Sequence, residues 1–148
     1  MKKKVFLVSI LMVLMLTGCG AKFEISGSDL QDYAVANEGQ YADVSDQFGY
    51  DYLDNCYVME VGNTHIELWD MDNTNTAYSW YEAMSEKLKA DAKMSTGSNT
   101  SKSGDYTVTS RDDIAYRILF SEDKCIYAEG YYKDEINTIL SGLGVIKD

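Results

Sequence analysis

Three thiols and one imidazole have the widest chemical reach in this chain: Cys19, Cys56, Cys125 and His65. No Cys-x-x-Cys spacing joins any pair of cysteines, so dithiol redox chemistry and structural zinc both lack their usual ligand spacing. Cys56 and Cys125 leave two readings open. In an oxidising compartment they are an even pair for one bridge, and closing so long a loop would stabilise the fold by about 4 kcal/mol in the chain-entropy picture. Where oxygen is absent they are two reduced, partly buried thiols. His65 has no nucleophile at a recognisable spacing, and no nucleophile elbow, zinc-protease helix or phosphate-binding glycine loop occurs. The chain carries 24 acidic residues, yet nothing singles out a pair for glycoside cleavage. Asp70-Met71-Asp72-Asn73-Thr74-Asn75 opens like a calcium loop, with oxygens at alternate positions. It then lacks the glycine at the sixth place and has Tyr81 where the closing glutamate belongs. The same side chains suit the N-cap of a helix that follows. These residues predict no catalytic centre, no metal site and no cofactor.

Cys19 has a different setting. Lys2, Lys3 and Lys4 precede an apolar stretch from Val5 to Leu16, broken only by Ser9. A helix needs about 20 apolar residues to span a bilayer, so this stretch is too short to cross and has the length of a signal-peptide core. Leu16-Thr17-Gly18-Cys19 then resembles the lipobox of bacterial prolipoproteins at all four positions: aliphatic, small, small, cysteine. The resemblance implies cleavage between Gly18 and Cys19 and lipid attachment at Cys19. Only a thiol can form the thioether to diacylglycerol, and small residues before it let an extended backbone enter the peptidase. Two acyl chains anchor stably where one is marginal. Residues 1–18 are thus expected to be a signal peptide, residues 19–27 a lipidated tether, and residues 28–148 a single domain on the extracytoplasmic face of the cell membrane.

Charge narrows the partners. The formal net charge is −11, and removing the three leader lysines makes the remainder more acidic still. Such a surface repels phosphate backbones and anionic headgroups, which argues against nucleic acid. There are 12 tyrosines and no proline. Tyrosine suits strands and half-buried edges, and it also offers rigid amphipathic area for binding.

The elements must follow from periodicity. A first helix, capped by Ser28 or Asp29, carries Leu30, Tyr33, Ala34 and Asn37. The clearest helix runs from Asn75 to Lys93, where Ala77, Trp80, Tyr81, Met84, Leu88 and Ala92 make one apolar stripe. A third spans Lys133 to Leu143, with Asp134 and Glu135 in its first turn and Gly144 as its stop. Cys56–Val61 and Thr64–Met71 flank Gly62-Asn63, a hairpin signal with glycine first, as a type II′ turn prefers. Ile114–Phe120 and Cys125–Tyr131 flank a four-residue loop, Ser121 to Lys124. Tyr106–Ser110 and Tyr41–Val44 add shorter strands, and Ser95 to Gly104 reads as a flexible polar loop. The expected fold is α+β: an antiparallel sheet of about five strands with helices packed on one face. All but the first helix can be read as one strand–hairpin–helix unit used twice.

Parity then assigns the faces. With Ile66 and Leu68 toward the helices, His65, Glu67 and Trp69 point away, joined by Cys56, Val58, Cys125 and Tyr127. Arg117, placed outward, carries Leu119 with it. The open face would present Trp69 and Tyr127 ringed by Glu67 and Arg117.

Segments Tyr41 to Phe48, Ile66 to Trp69, and Ile126 to Glu129 before Tyr132 to Ile136 make the mature part similar to small tyrosine-rich lipoproteins of gut Gram-positive bacteria. That resemblance supports the α+β reading and carries over no functional residue. The expectation is a non-enzymatic lipoprotein that binds a protein or cell-envelope partner through its sheet face. The alternative is a solute- or sugar-binding lipoprotein with its ligand between the second helix and the sheet. Cys19→Ser should abolish palmitate labelling and membrane retention of the processed chain; unchanged retention would contradict the lipid assignment.

Overall fold

The computed structural model describes residues 22–147. The expected signal peptide, the Gly18–Cys19 cleavage point and the lipid site at Cys19 lie outside these residues. Among the described residues the chain forms helix α1 (Gly27–Ala36), strands β1 (Gln40–Asp43), β2 (Leu53–Val61) and β3 (Thr64–Met71), and helix α2 (Thr74–Lys89). Then follow β4 (Ala92–Asn99), β5 (Ser103–Ser110), β6 (Ala115–Ser121), β7 (Lys124–Gly130) and helix α3 (Lys133–Gly142). The strands make one sheet in the order β1-β2-β3-β7-β6-β5-β4, antiparallel throughout. The α+β class holds, with seven strands where about five were expected.

Local chemistry explains the elements. Ser26, two residues before the expected cap, forms a capping box with Asp29, each side chain meeting the other's backbone N–H. Asn73 caps α2 by accepting the N–H of Thr76 at 3.0 Å, so the Asp/Asn run before this helix is its start signal. Gly62 takes φ +59 in the β2–β3 turn, a left-handed value that costs glycine nothing. The β6–β7 loop is tighter than expected, because Ser121 and Lys124 pair with each other and only Glu122 and Asp123 turn. Glu122 adopts φ 57, and its N–H donates to the Lys102 carbonyl at 2.9 Å.

The flexible loop expected from Ser95 to Gly104 is instead most of β4 and the turn into β5. All of β4 after Ala92 is exposed, and its pairing with β5 is irregular between Ala92 and Met94, so no apolar alternation marks it as a strand. Ala92, assigned by periodicity to the end of α2, opens this strand.

The helices do not share one face. Leu30 and Ala34 of α1 and Ile136, Ile139 and Leu140 of α3 pack with Met59, Ile66, Leu68, Leu119, Ile126 and Ala128. Ala77 and Tyr81 of α2 pack on the opposite side with Met71, Ile118, Phe120 and Cys125. The architecture is therefore three layers, with the sheet in the middle. Ile118-Leu119-Phe120 is fully buried although its side chains alternate faces, which demands cover on both.

This arrangement also corrects the duplicated unit. A twofold axis normal to the sheet between β3 and β7 would exchange the hairpins but leave each helix on its own face. α2 and α3 lie on opposite faces, so no rotation relates the two units. The expected tether is corrected as well: Phe23 and Ile25 are 4% and 3% exposed and belong to the core under α1. Residues 22–27 are thus part of the packed domain.

Neighbours facing opposite ways test the three layers. Ile118→Ala and Leu119→Ala should each cost about 2–5 kcal/mol in chemical unfolding. A sheet covered on one face only would make one of the two nearly neutral.

Candidate functional site

α2 crosses the β5–β6–β7 side of its face, leaving the β2–β3 side uncovered by helix. The segment between β1 and β2 folds over part of this bare area. Ser45 fixes it: its hydroxyl donates to Asp43 at 2.5 Å and accepts the N–H of Cys56 at 2.9 Å. The Ser45 hydroxyl, with the Ser45 N–H at 3.0 Å, holds the Asp43 carboxyl below its usual range. The N–H of Asp72 donates to the Tyr52 carbonyl at 3.0 Å and closes the other end.

The segment carries Phe48, Tyr50 and Tyr52, and their rings extend a series that ends on α2. Tyr52 stacks on Tyr50 at 5.1 Å, and Tyr50 on Phe48 at 6.0 Å. Phe48 lies 4.9 Å from Trp69, and Trp69 lies 5.9 Å from Trp80. Contacts of this kind contribute about 0.5–1.5 kcal/mol each beyond burial, which favours this arrangement of the row. Its outer members remain open to solvent, Tyr50 at 48% and Tyr52 at 42%.

Beside the row runs a chain of charged hydrogen bonds. His65 Nδ1 lies 2.5 Å from Glu60 Oε1, and His65 Nε2 lies 2.9 Å from Glu67 Oε1. The other oxygen of Glu67 accepts the Trp69 indole N–H at 2.7 Å. The hydrogen bond that His65 donates to Glu67 pushes its pKa up to about 9, against the opposing effect of burial and with further help from Glu60. His65 is thus a cation at neutral pH, with both ring nitrogens donating. Tyr127 sits edge-on to His65 and donates to Glu129; burial first, then that carboxylate, raises its phenol pKa. With Glu60, Glu67 and Glu129 against one imidazolium, the face is net acidic.

Of the residues expected on the open face, Trp69, Glu67 and Tyr127 are together, with Glu67 and Tyr127 direct cross-strand partners. Arg117 is not with them. It pairs with Ala128, so its side chain lies on the α3 face, where it grips Asp105 at 3.0 and 2.5 Å and Asn137 at 2.7 Å. The expectation that a charge must face solvent failed, because two partners allow Arg117 to be only 16% exposed. Leu119 follows it into the core. Sequence parity places Glu60 on this face but gives no place to Phe48, Tyr50, Tyr52 and Glu129, although aromatic residues at alternate positions from 48 to 52 are a visible signal.

The cysteines resolve to free thiols. Cys56 and Cys125 are in register with Trp69 from either side, and therefore two strand spacings apart, roughly 10 Å. A disulfide needs α-carbons within about 7 Å. Burial pushes the Cys56 thiol up to about 12 and raises that of Cys125 too, so both are poor nucleophiles. Asp70, from the calcium-like run, binds Lys124 at 2.7 Å. Among the described residues no group of three histidine, cysteine or carboxylate side chains is placed to hold a metal, and no helix is long and apolar enough to cross a membrane.

No known family and no curated protein matches this chain. A solved structure of a GTP binding regulator from Thermotoga maritima is similar over 80% of this chain and 84% of its own, with a TM-score of 0.51 and 9% identity. At that identity the likeness speaks to the fold alone.

The histidine gives a direct check. Its folded pKa lies above its ordinary value of 6.5, so its stabilisation is complete below pH 6.5, falls between 6.5 and about 9, and is absent above. After solvent screening it amounts to about 1–2 kcal/mol. The single histidine resonance should titrate near 9 and fall toward 6.5 in Glu67→Gln. A wild-type midpoint near 6.5 would refute the bridged geometry.

Proposed function

We propose that this chain is a lipid-anchored, extracytoplasmic lipoprotein without enzymatic activity, and that it binds a protein or cell-envelope partner through the bare β2–β3 side of its sheet. The leader and the Leu16-to-Cys19 pattern support the anchor. One observation supports the binding face above the rest: a row of contacting rings whose outer two tyrosines stand about half exposed beside a hydrogen-bonded acidic network. Rigid aromatic side chains lose little entropy on binding and supply most of the energy at protein interfaces. The network adds direction, because a net acidic rim favours partners with hydrogen-bond donors or positive charge. Arg117 has no part in this face; Trp69 and Tyr127 form its floor, and Glu67 ties them to His65.

A benzophenone side chain placed at Tyr50 tests this in intact cells. It should give a discrete crosslinked adduct, and the same group at Val35, which is 76% exposed on α1, should not. Adding Tyr52→Ala should cut the yield about fivefold or more, as expected for losing an interface anchor. Equal adducts from both positions, or none from Tyr50, would overturn the reading.

A further inference from the structure

A second site lies beyond α2, on the far side of the same face. The residues that β4 turns toward α2 are Ser95, Gly97 and Asn99, as their pairing with Val108, Tyr106 and Gly104 requires. None is large enough to fill the space beside the helix. The result is a groove of about 500 Å³ between α2 and the β4–β5 edge. That volume is within the range of small-molecule sites.

Two glycines shape its floor. A Cβ on Gly97 would collide with the ring of Tyr106, and one on Gly104 would meet the Tyr81 ring at 2.7 Å. Without those atoms both tyrosines lie close on the strands and border the groove; Tyr81 is only 4% exposed, so the half-buried Tyr106 supplies the ring a ligand can reach. Tyr81 is held there by Phe120 at 4.9 Å. The rim is polar and carries groups of every hydrogen-bonding kind. Glu82 and Glu86 accept, Lys89 donates, and the Asn99 amide does both. Glu82 is positioned by the Tyr78 hydroxyl at 2.6 Å, and Lys89 lies 3.5 Å from Glu86.

From this combination we infer that the groove is a binding site for a neutral saccharide of about two rings. A sugar ring offers a face of C–H bonds that packs on an aromatic ring and a girdle of hydroxyls that both donate and accept. The groove supplies the complement of each. An anion would meet two carboxylates against one ammonium, and a purely apolar ligand would strip water from the rim with nothing in return. This site is separate from the aromatic row and does not depend on the function proposed for it.

The test is titration of the ¹⁵N-labelled full-length chain, in a detergent without a sugar headgroup, with N,N′-diacetylchitobiose as the neutral probe. The amides of Gly97, Ser98 and Asn99 should shift and saturate. Asn99→Ala, at an exposed position, should weaken the probe about fivefold or more, as for one lost hydrogen bond. Val35→Ala, on α1 and away from the groove, should bind as the unaltered chain does. A tenfold gain with the hexasaccharide would assign the groove to a polymer, and equal affinity to a free sugar. The inference is overturned if nothing saturates by ~50 mM, if shifts centre on Tyr50 and Tyr52, or if Asn99→Ala has no effect. It is equally overturned if indole saturates the same amides and the disaccharide does not.

Discussion

β6 and β7 are apolar in both directions, and the architecture follows from the need to cover them twice. Ile118, Phe120 and Cys125 face one way, while Leu119, Ile126 and Ala128 face the other, and all are 0–1% exposed. Strands of this kind cannot lie at an edge, and each is flanked on both sides in the sheet. Covering the two faces requires helices above and below. α1 and α3 together close one side, whereas α2 works alone on the other. One helix is narrower than seven strands, so that side keeps two strips without helix, one along β2–β3 and one along the β4 edge. Both candidate binding surfaces are the parts of the sheet that a single helix cannot reach.

The exposed strip stays ordered because its polar groups satisfy one another. Glu67 is the centre: one oxygen meets His65 and the other meets the Trp69 indole. A carboxylate holding two donors fixes both rings, and Trp69 in turn sets the place of Phe48 and the tyrosines beyond it. Cys56 and Cys125 fit this scheme as small apolar spacers on either side of a large indole. Their reactivity is suppressed by the same burial that makes room for the ring.

Much of this was legible in the residues. The stripe of α2, the Gly62-Asn63 hairpin and the acidic start of α3 each combine periodicity with a terminal signal, and each appears where expected except that α2 stops at Lys89 and leaves Ala92 to β4. β4 was not legible, because an edge strand that buries nothing leaves no pattern in Ser95 to Asn99. The placement of α2 failed for a different reason. Alternation in β3 identifies one apolar face, but the unbroken apolar run in β6 was the sign that the opposite face is covered too. Arg117 misled in the same direction, since a guanidinium with Asp105 and Asn137 to hold it can lie against a helix. The aromatic row spans a loop, where no periodicity reports which side chains will meet.

Burial of Phe23 has a consequence for how the molecule would sit on a bilayer. Its N–H reaches Ser121, at the turn between β6 and β7. The end of β3 meets the same turn, through the bond from Met71 to Asp123. If lipid is on Cys19 as proposed, Phe23 follows only four residues later in sequence, a reach of at most about 14 Å. That leash would dock the molecule turn-end down, bringing Tyr50 and Tyr52 close above the headgroups and turning His65 toward the medium. A binding partner would then have to approach sideways along the membrane plane, as another resident of that surface rather than a visitor from the bulk.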